Sequence, residues 1–397
     1  MYGVNLQVQT YKLLDDLPRA CRRLFDEAGR QNFFLTLEWF QHLSRTALDE
    51  DQELRIYNVS DAADLERSAG TFVGRISQPR RGLMPLRKLS AFTNYYSCFF
   101  AVLFPGEGER HKSMQALAAA IAAERPRWDL VEIHPLDKGS EEFAAMIAAF
   151  RNAGFVVQTY FLSGNWYLPV LGRTYEQYVK SLAPALRNTL RRKRKKLEES
   201  GRACIEIVTG GDGLERAVEA YTKVYLASWK SPEPYADFIP GLIRLCARLG
   251  ALRLGVLYVD GEAAASQLWI VHHGRALIYK LAYDERFADL SVGTVLTATL
   301  MQYVLDVDKV EEVDYLTGDD AYKKDWMSHR RERWGMLAMN PRTPRGALSL
   351  VRHEGGRHVA RASRYIRGLL ARRTPATRQD PAQGPQVAGL QGSVKGS

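Results

Sequence analysis

Long apolar runs are missing from this chain, and so is any patterned use of cysteine. No stretch of roughly 18 apolar residues occurs, which argues against a membrane-spanning helix. The opening residues, MYGVNLQVQTYKLLDDLPRA, lack the basic start and apolar core of a secretory signal. Cys21, Cys98, Cys204 and Cys246 are scattered and form no CxxC pair and no Cys/His set. They read as reduced thiols of a cytoplasmic protein, with no disulfide framework and no metal site.

An excess of one charge sign is also missing, except at one end. The net charge is +10, yet residues 341–397 hold ten arginines and one lysine against only Glu354 and Asp380. Nine of the ten excess charges therefore sit in this tail, and the preceding residues are almost neutral. A basic tail attracts anionic membrane, nucleic acid or another polyanion, or simply stays solvated. The segment RASRYIRGLLARR adds an apolar edge of Tyr365, Ile366, Leu369 and Leu370, which suits peripheral contact at the inner face of a membrane better than nucleic acid. The last residues, rich in Pro, Gly and Gln, have the composition of disorder.

What is present is ample apolar material: 46% of 397 residues are hydrophobic, enough for two or three domains at roughly 150 residues each. Through residue 170 strand-like and helix-like segments alternate. LRIYNV and GTFVGRIS read as strands, HKSMQALAAAIAAER as a helix, WDLVEIHPL as a strand, and EEFAAMIAAFRNAG as a helix closed by Gly154. Residues 184–200 predict a helix with Pro184 in its first turn, Gly201 as stop, and Leu186, Leu190 and Leu197 as one apolar stripe. Arg187, Arg191, Arg192, Lys193, Arg194, Lys195 and Lys196 crowd ten positions of it and repel one another unless an anion lies near. From Ala203 the order is β-α-α-β-β-β-α-β-α-β, with hairpin turns at Asp260-Gly261 and His273-Gly274 and one parallel crossover over 284–310. The second helix, YADFIPGLIRLCARLG, is expected to be interrupted at Pro240.

Four stretches carry a resemblance: SLAPALRNTLRRKRKKLEESG, YLASWK, YKLAYDERFADLSVGTVL and VDYLTGDDAYKKDW. Over residues 155–336 the chain resembles the GNAT-type N-acyltransferases, and more narrowly the acetyltransferase domain of the CelD/BcsL (BioF2-like) family. In architecture it is similar to the Fem-type aminoacyl transferases. The resemblance implies an α/β fold of tandem GNAT-like lobes, with mixed, mainly antiparallel sheets flanked by helices. The organisation it implies is a degenerate lobe over 1–170, an acyltransferase lobe over 171–340 that includes the basic helix, and a tail over 341–397. It also implies acetyl-CoA or another acyl-CoA as co-substrate, and an amine or hydroxyl of a polysaccharide or cell-envelope precursor as acceptor. A tRNA-borne aminoacyl donor is the alternative, and a non-catalytic scaffold a third reading. DNA is not expected.

The junction Leu290-Ser291-Val292-Gly293-Thr294 stands where such enzymes carry a Gln/Arg-x-x-Gly-x-Gly/Ala phosphate loop, with one glycine fewer here. Ser291 suits a helix cap, and Ser291, Gly293 and Thr294 suit an open helix N-terminus for a pyrophosphate. Tyr283 and Lys323 are expected beside the donor. On the preceding strand, alternation puts Lys280 on a face with Ile278, Ala282 and Asp284. A buried lysine needs a partner, and Asp314 on the neighbouring strand is the expected one. That pair is either structural or supplies the base for transfer, and Tyr322 is placed by the resemblance to protonate a departing thiolate. Arg187, Arg191, Trp229 and Asp284 complete the set as substrate-binding candidates. Base recognition by 187–196 lacks support, since no aromatic residue interleaves its cations.

Overall fold

The computed structural model describes residues 6–77, 86–106 and 110–352. Met1–Leu348 forms one unit and Ser349–Ser397 a second. The expected amphipathic segment at 361–373 lies outside the described residues.

The elements run β1 (Leu6–Tyr11), α1 (Arg19–Gln31), α2 (Leu37–Thr46), β2 (Gln52–Asp61), β3 (Asp64–Ser77), β4 (Lys88–Ala91), α3 (Arg110–Ala123), β5 (Leu130–Asp137), α4 (Glu141–Asn152) and β6 (Val156–Pro169). After α5 (Tyr175–Ser181) and α6 (Pro184–Glu199) the same order returns. It comprises β7 (Ala203–Val208), α7 (Leu214–Leu226), α8 (Phe238–Arg248), β8 (Leu252–Val259), β9 (Glu262–His272), β10 (Arg275–Tyr283), α9 (Val292–Asp306), β11 (Glu312–Thr317), α10 (Lys323–Trp326) and β12 (His329–Met339). Each half is a β-α-α-β-β-β-α-β-α-β unit with one parallel pair, β4–β5 in the first and β10–β11 in the second.

The two halves share one 12-stranded sheet ordered β1-β2-β3-β4-β5-β12-β6-β11-β10-β9-β8-β7. Each half lends its last strand to the other: β6 pairs with β11, and β12 pairs with β5. At the centre β6 and β12 pair with each other over their whole length, from His329↔Tyr167 to Met339↔Val156. A boundary at 170 thus assigns β6 to the first half although it lies inside the shared sheet. The architecture is α/β, a mixed and mostly antiparallel sheet flanked by helices.

Two cores hold it. One joins α1, α2, α3, α4, α7 and α8 to the sheet, with Trp39, Phe72, Phe238 and Leu254 wholly buried. The other lies under α5, α6 and α9, around Trp269, Leu296, Leu300 and Met301. The stripe read in α6 seats it there through Leu190 and Leu197. The turns at Asp260-Gly261 and His273-Gly274 have positive φ at both residues, as the hairpin chemistry predicts. Two expectations need correction. Pro240 does not interrupt α8: it sits in the first turn, where its missing N–H has no intrahelical acceptor to lose. DDAYKKDWMSHRR is not a full helix but the single turn of α10, because β12 already begins at His329.

Candidate functional site

β10 and β11 pair only over Arg275–Leu277 and Glu312–Asp314, then part. Two local features drive them apart. β10 has a bulge between Ile278 and Lys280, and β11 ends through left-handed Leu316 (φ 56) and Gly318 (φ 117). A cleft opens between the carboxyl ends of two parallel strands, where α/β folds place ligands.

α9 begins at the edge of this cleft. Asp284 accepts the Arg286 backbone N–H at 2.9 Å and starts a 3-10 turn over Glu285–Leu290. Ser291 then takes a left-handed conformation (φ 57, ψ 36) and α9 follows. Its side chain makes no capping hydrogen bond, which corrects the expected serine cap. The first intrahelical bond here runs from Val295 N–H to Ser291 O, 3.0 Å, so the N–H groups of the half-buried Gly293 and Thr294 precede it and have no intrahelical acceptor, while Val292 is wholly buried. Buried Gln267 of β9 fixes this end, donating to Gly293 O at 2.9 Å and to Thr297 Oγ1 at 2.8 Å. A Cβ on Gly293 would lie 3.2 Å from the Tyr283 ring, and Tyr283 lies against Trp229 with ring centroids 4.7 Å apart and planes tilted by 47°. Ser291, Gly293, Thr294, Tyr283 and Trp229, drawn from three segments, therefore form one wall.

The expected Lys280–Asp314 pair does not form. The bulge inserts Tyr279 as an extra residue and moves Lys280 off the face of Ile278. Lys280 Nζ instead meets Glu233 Oε1 at 2.8 Å, with both side chains about nine-tenths buried (12% and 9% exposed). Its ammonium also lies over Tyr95 and Tyr96, 4.7 and 5.2 Å from the ring centroids. Asp314 is taken up elsewhere. Its carboxylate accepts from Arg331, from Asn165 Nδ2 and from the Leu316 N–H, which leaves it no free edge to act as a base. It is a structural ion pair that locks β11 to β6 and β12.

Lys323 is likewise not free for a phosphate. It is buried, donates to Thr317 O at 2.8 Å and pairs with Asp320 at 3.2 Å, so it caps the carbonyl end of β11. Asp284 is bound by Arg286, which holds its carboxyl below the usual range, and it serves as a local cap rather than a substrate contact. Arg187 donates to Lys180 O at 3.0 Å, and Arg191 lines a shallow surface depression with Asn188, Arg192 and Lys195. Lys193 of the basic helix reaches the turn before α9, donating to Asp289 O at 2.7 Å. Tyr322 is half exposed and sits edge-on to Tyr315. Burial of its hydroxyl, then Asp320, push it up to about 12, so it keeps its proton at neutral pH.

The site holds residues that sequence patterning did not single out. Lys230 and Glu233 come from the loop between α7 and α8, and Tyr95 and Tyr96 from the first half of the chain. Burial, then the like charge of Lys280, lower the Lys230 ammonium to about 8. The signal available was YLASWK itself; nothing local links it to Tyr95-Tyr96. Elsewhere between the halves, a cavity of about 850 Å³ is bordered by Phe33, Phe99, Leu277 and Arg333. Its charges are largely paired, Arg331 with Glu312 and Arg333 with Asp137.

Residues 184–324 match the model of the acetyltransferase (GNAT) domain. The whole fold is similar to the crystal structure of FemX, with TM-score 0.57 and 11% identity, over 83% of this chain and 96% of that one. It is similar also to a conserved protein of unknown function from Bacteroides thetaiotaomicron VPI-5482, with TM-score 0.52 and 10% identity, over 84% of this chain and 100% of that one. No curated protein matches the chain. Part of the second half of the molecule thus matches a GNAT acetyltransferase domain, within a fold similar to that of FemX.

Proposed function

We propose that this protein is an acyltransferase that takes its acyl group from a CoA thioester bound at the start of α9. It passes that group, inside the cleft between β10 and β11, to an amine or hydroxyl of a polysaccharide or cell-envelope precursor. The observation that carries this is the wall made by the start of α9, where the N–H groups of Gly293 and Thr294 have no intrahelical acceptor, with Tyr283 and Trp229. Such N–H groups and the positive end of the helix dipole suit a pyrophosphate, and Gly293 keeps a side chain out of its way. Tyr322 carries a proton at neutral pH and supplies it to the departing thiolate. The likeness to CelD/BcsL-type sequences supports the envelope context.

One observation favours a second donor. Arg191, Arg192 and Lys195 present an exposed cationic surface on α6, which suits the backbone of a tRNA and hence an aminoacyl donor. Calorimetric titration with acetyl-CoA, a longer acyl-CoA and an aminoacyl-tRNA separates the readings. Binding of a CoA thioester supports the first, binding of aminoacyl-tRNA alone supports the second, and binding of none leaves a scaffold.

The tail completes the proposal by bringing the protein to anionic membrane. Full-length protein is expected to sediment with anionic liposomes at low salt. It should release steeply as salt rises past about 0.1 M, where the Debye length is about 10 Å. A chain cut after Asn340 should stay in the supernatant while still binding donor.

A further inference from the structure

Residues 227–237, between α7 and α8, take neither helix nor strand. Ser231, Pro232, Pro234, Ala236 and Asp237 are exposed, while Glu233 and Tyr235 reach inward. Glu233 is set between two prolines. Each proline fixes its own φ, lacks an N–H and restricts the residue before it, so Glu233 is presented on a stiff stretch of chain.

The Glu233 carboxylate is a meeting point. Oε1 accepts from Lys280 of β10 at 2.8 Å. Tyr96, from the first half, and Tyr225, at the end of α7, hydrogen-bond to the same carboxylate, and burial, then its charge, pushes both phenols upward. Lys280 is itself held in place, its ammonium over the rings of Tyr95 and Tyr96. Tyr96 also stacks on Phe238, the first residue of α8, at 3.7 Å between centroids with planes 9° apart. Beyond Glu233, Tyr235 donates to Asp49 of the first half at 2.6 Å. A pair as buried as Glu233 and Lys280 adds little net stability, because desolvating both charges offsets most of their attraction. What it fixes is the place of the loop.

The loop carries part of the donor wall. Trp229 lies four residues before Glu233. It is 50% exposed, and its indole N–H makes no hydrogen bond among the described residues. Its ring rests against Tyr283, 4.7 Å between centroids, and Tyr283 in turn lies beside Gly293. The indole therefore has no polar anchor of its own and depends on the loop that bears it.

We propose that Glu233 is a positioning residue for the donor site: by clamping residues 227–237 to Lys280 and Tyr96 it keeps Trp229 against Tyr283 and so completes the wall at the start of α9. The inference rests on the thioester-donor reading above. It also makes that wall a joint product of the two halves, since Tyr96 belongs to the first.

Isothermal titration of acetyl-CoA into full-length wild type, Glu233→Gln, Trp229→Ala and the double variant tests whether one residue acts through the other. Each single change should weaken binding by about tenfold, and the double variant should bind no more weakly than Trp229→Ala alone. Losses that multiply overturn the proposal. Glu233→Gln strands Lys280 as a buried charge and should lower the melting temperature. Glu233→Gln with Lys280→Met removes both charges, so the melting temperature should recover while the affinity should not; recovery of both would make the pair merely structural and overturn the proposal. Fluorine NMR of protein carrying fluorotryptophan, with the Trp229 signal assigned through Trp229→Phe, reads the loop without any ligand. In Glu233→Gln that signal should move toward the position of a solvent-exposed indole. An unmoved signal overturns the clamp, whether or not acetyl-CoA binds. A moved signal in a protein whose wild type binds no acetyl-CoA upholds the clamp and overturns the donor reading instead.

Discussion

A lysine held under aromatic rings, with two other ammonium groups near it, pulls against folding. Lys230 releases its proton at about 8 in the folded protein, against 10.5 for an ordinary lysine. Below pH 8 both folded and unfolded chains carry the charge, and the fold bears the full cost of desolvating it. Between 8 and 10.5 the unfolded chain binds more protons, so stability rises with pH and the cost fades. Lys230→Met should therefore stabilise the protein at pH 7 by about 1 to 3 kcal/mol. Urea titrations at pH 7 and pH 10.5 should show that gain shrinking. A destabilised variant at pH 7 would mean the ammonium has a partner. Single residues were also the least legible part of the sequence. Lys280 was visibly odd in a central strand, but its partner Glu233 lies 47 positions away, in a loop with no periodicity to read. A bulge at Tyr279 then reversed the face on which alternation placed it.

At the scale of elements, the first turn of α9 is held by side chains rather than by a serine cap. Gln267 donates to Gly293 O and Thr297 Oγ1 and accepts from Trp269 Nε1 at 3.0 Å. Gln267→Leu keeps the volume but strands the indole N–H and frees the turn. It should cost about 1 to 3 kcal/mol and weaken donor binding as well. A thermal melt and a donor titration of the same variant check both; an unchanged donor affinity would show that the turn holds its shape unaided. Elements with strong internal patterns were readable: the α6 stripe, the Asp-Gly and His-Gly hairpins, and the crossover through α9. The α10 segment misled because its polar, helix-favouring residues belong to a single turn and an extended edge of β12, which pairing with β6 imposes.

In the molecule as a whole, the exchange of β6 and β12 makes the halves interdependent. No sequence pattern announces this, since β6 and β12 are both antiparallel strands and either could close either half. A fragment of residues 171–352 lacks β5 and β6 and so exposes one edge of β11 and both edges of β12, a template for aggregation. It should be insoluble or aggregated on a sizing column. A fragment of residues 154–352 retains β6 and should be markedly more soluble; equal behaviour of the two would contradict a shared sheet.

The account rests most heavily on the start of α9 as the donor site, and isothermal titration of acetyl-CoA into wild-type protein and Gly293→Val tests it most directly. A valine there places its Cβ 3.2 Å from the Tyr283 ring and adds bulk at the first turn of α9. The account predicts that the wild type binds, that the variant binds at least about tenfold more weakly, a difference of about 1.4 kcal/mol, and that the two melt at similar temperatures. Equal affinity in the two proteins, or no binding by the wild type, would contradict it.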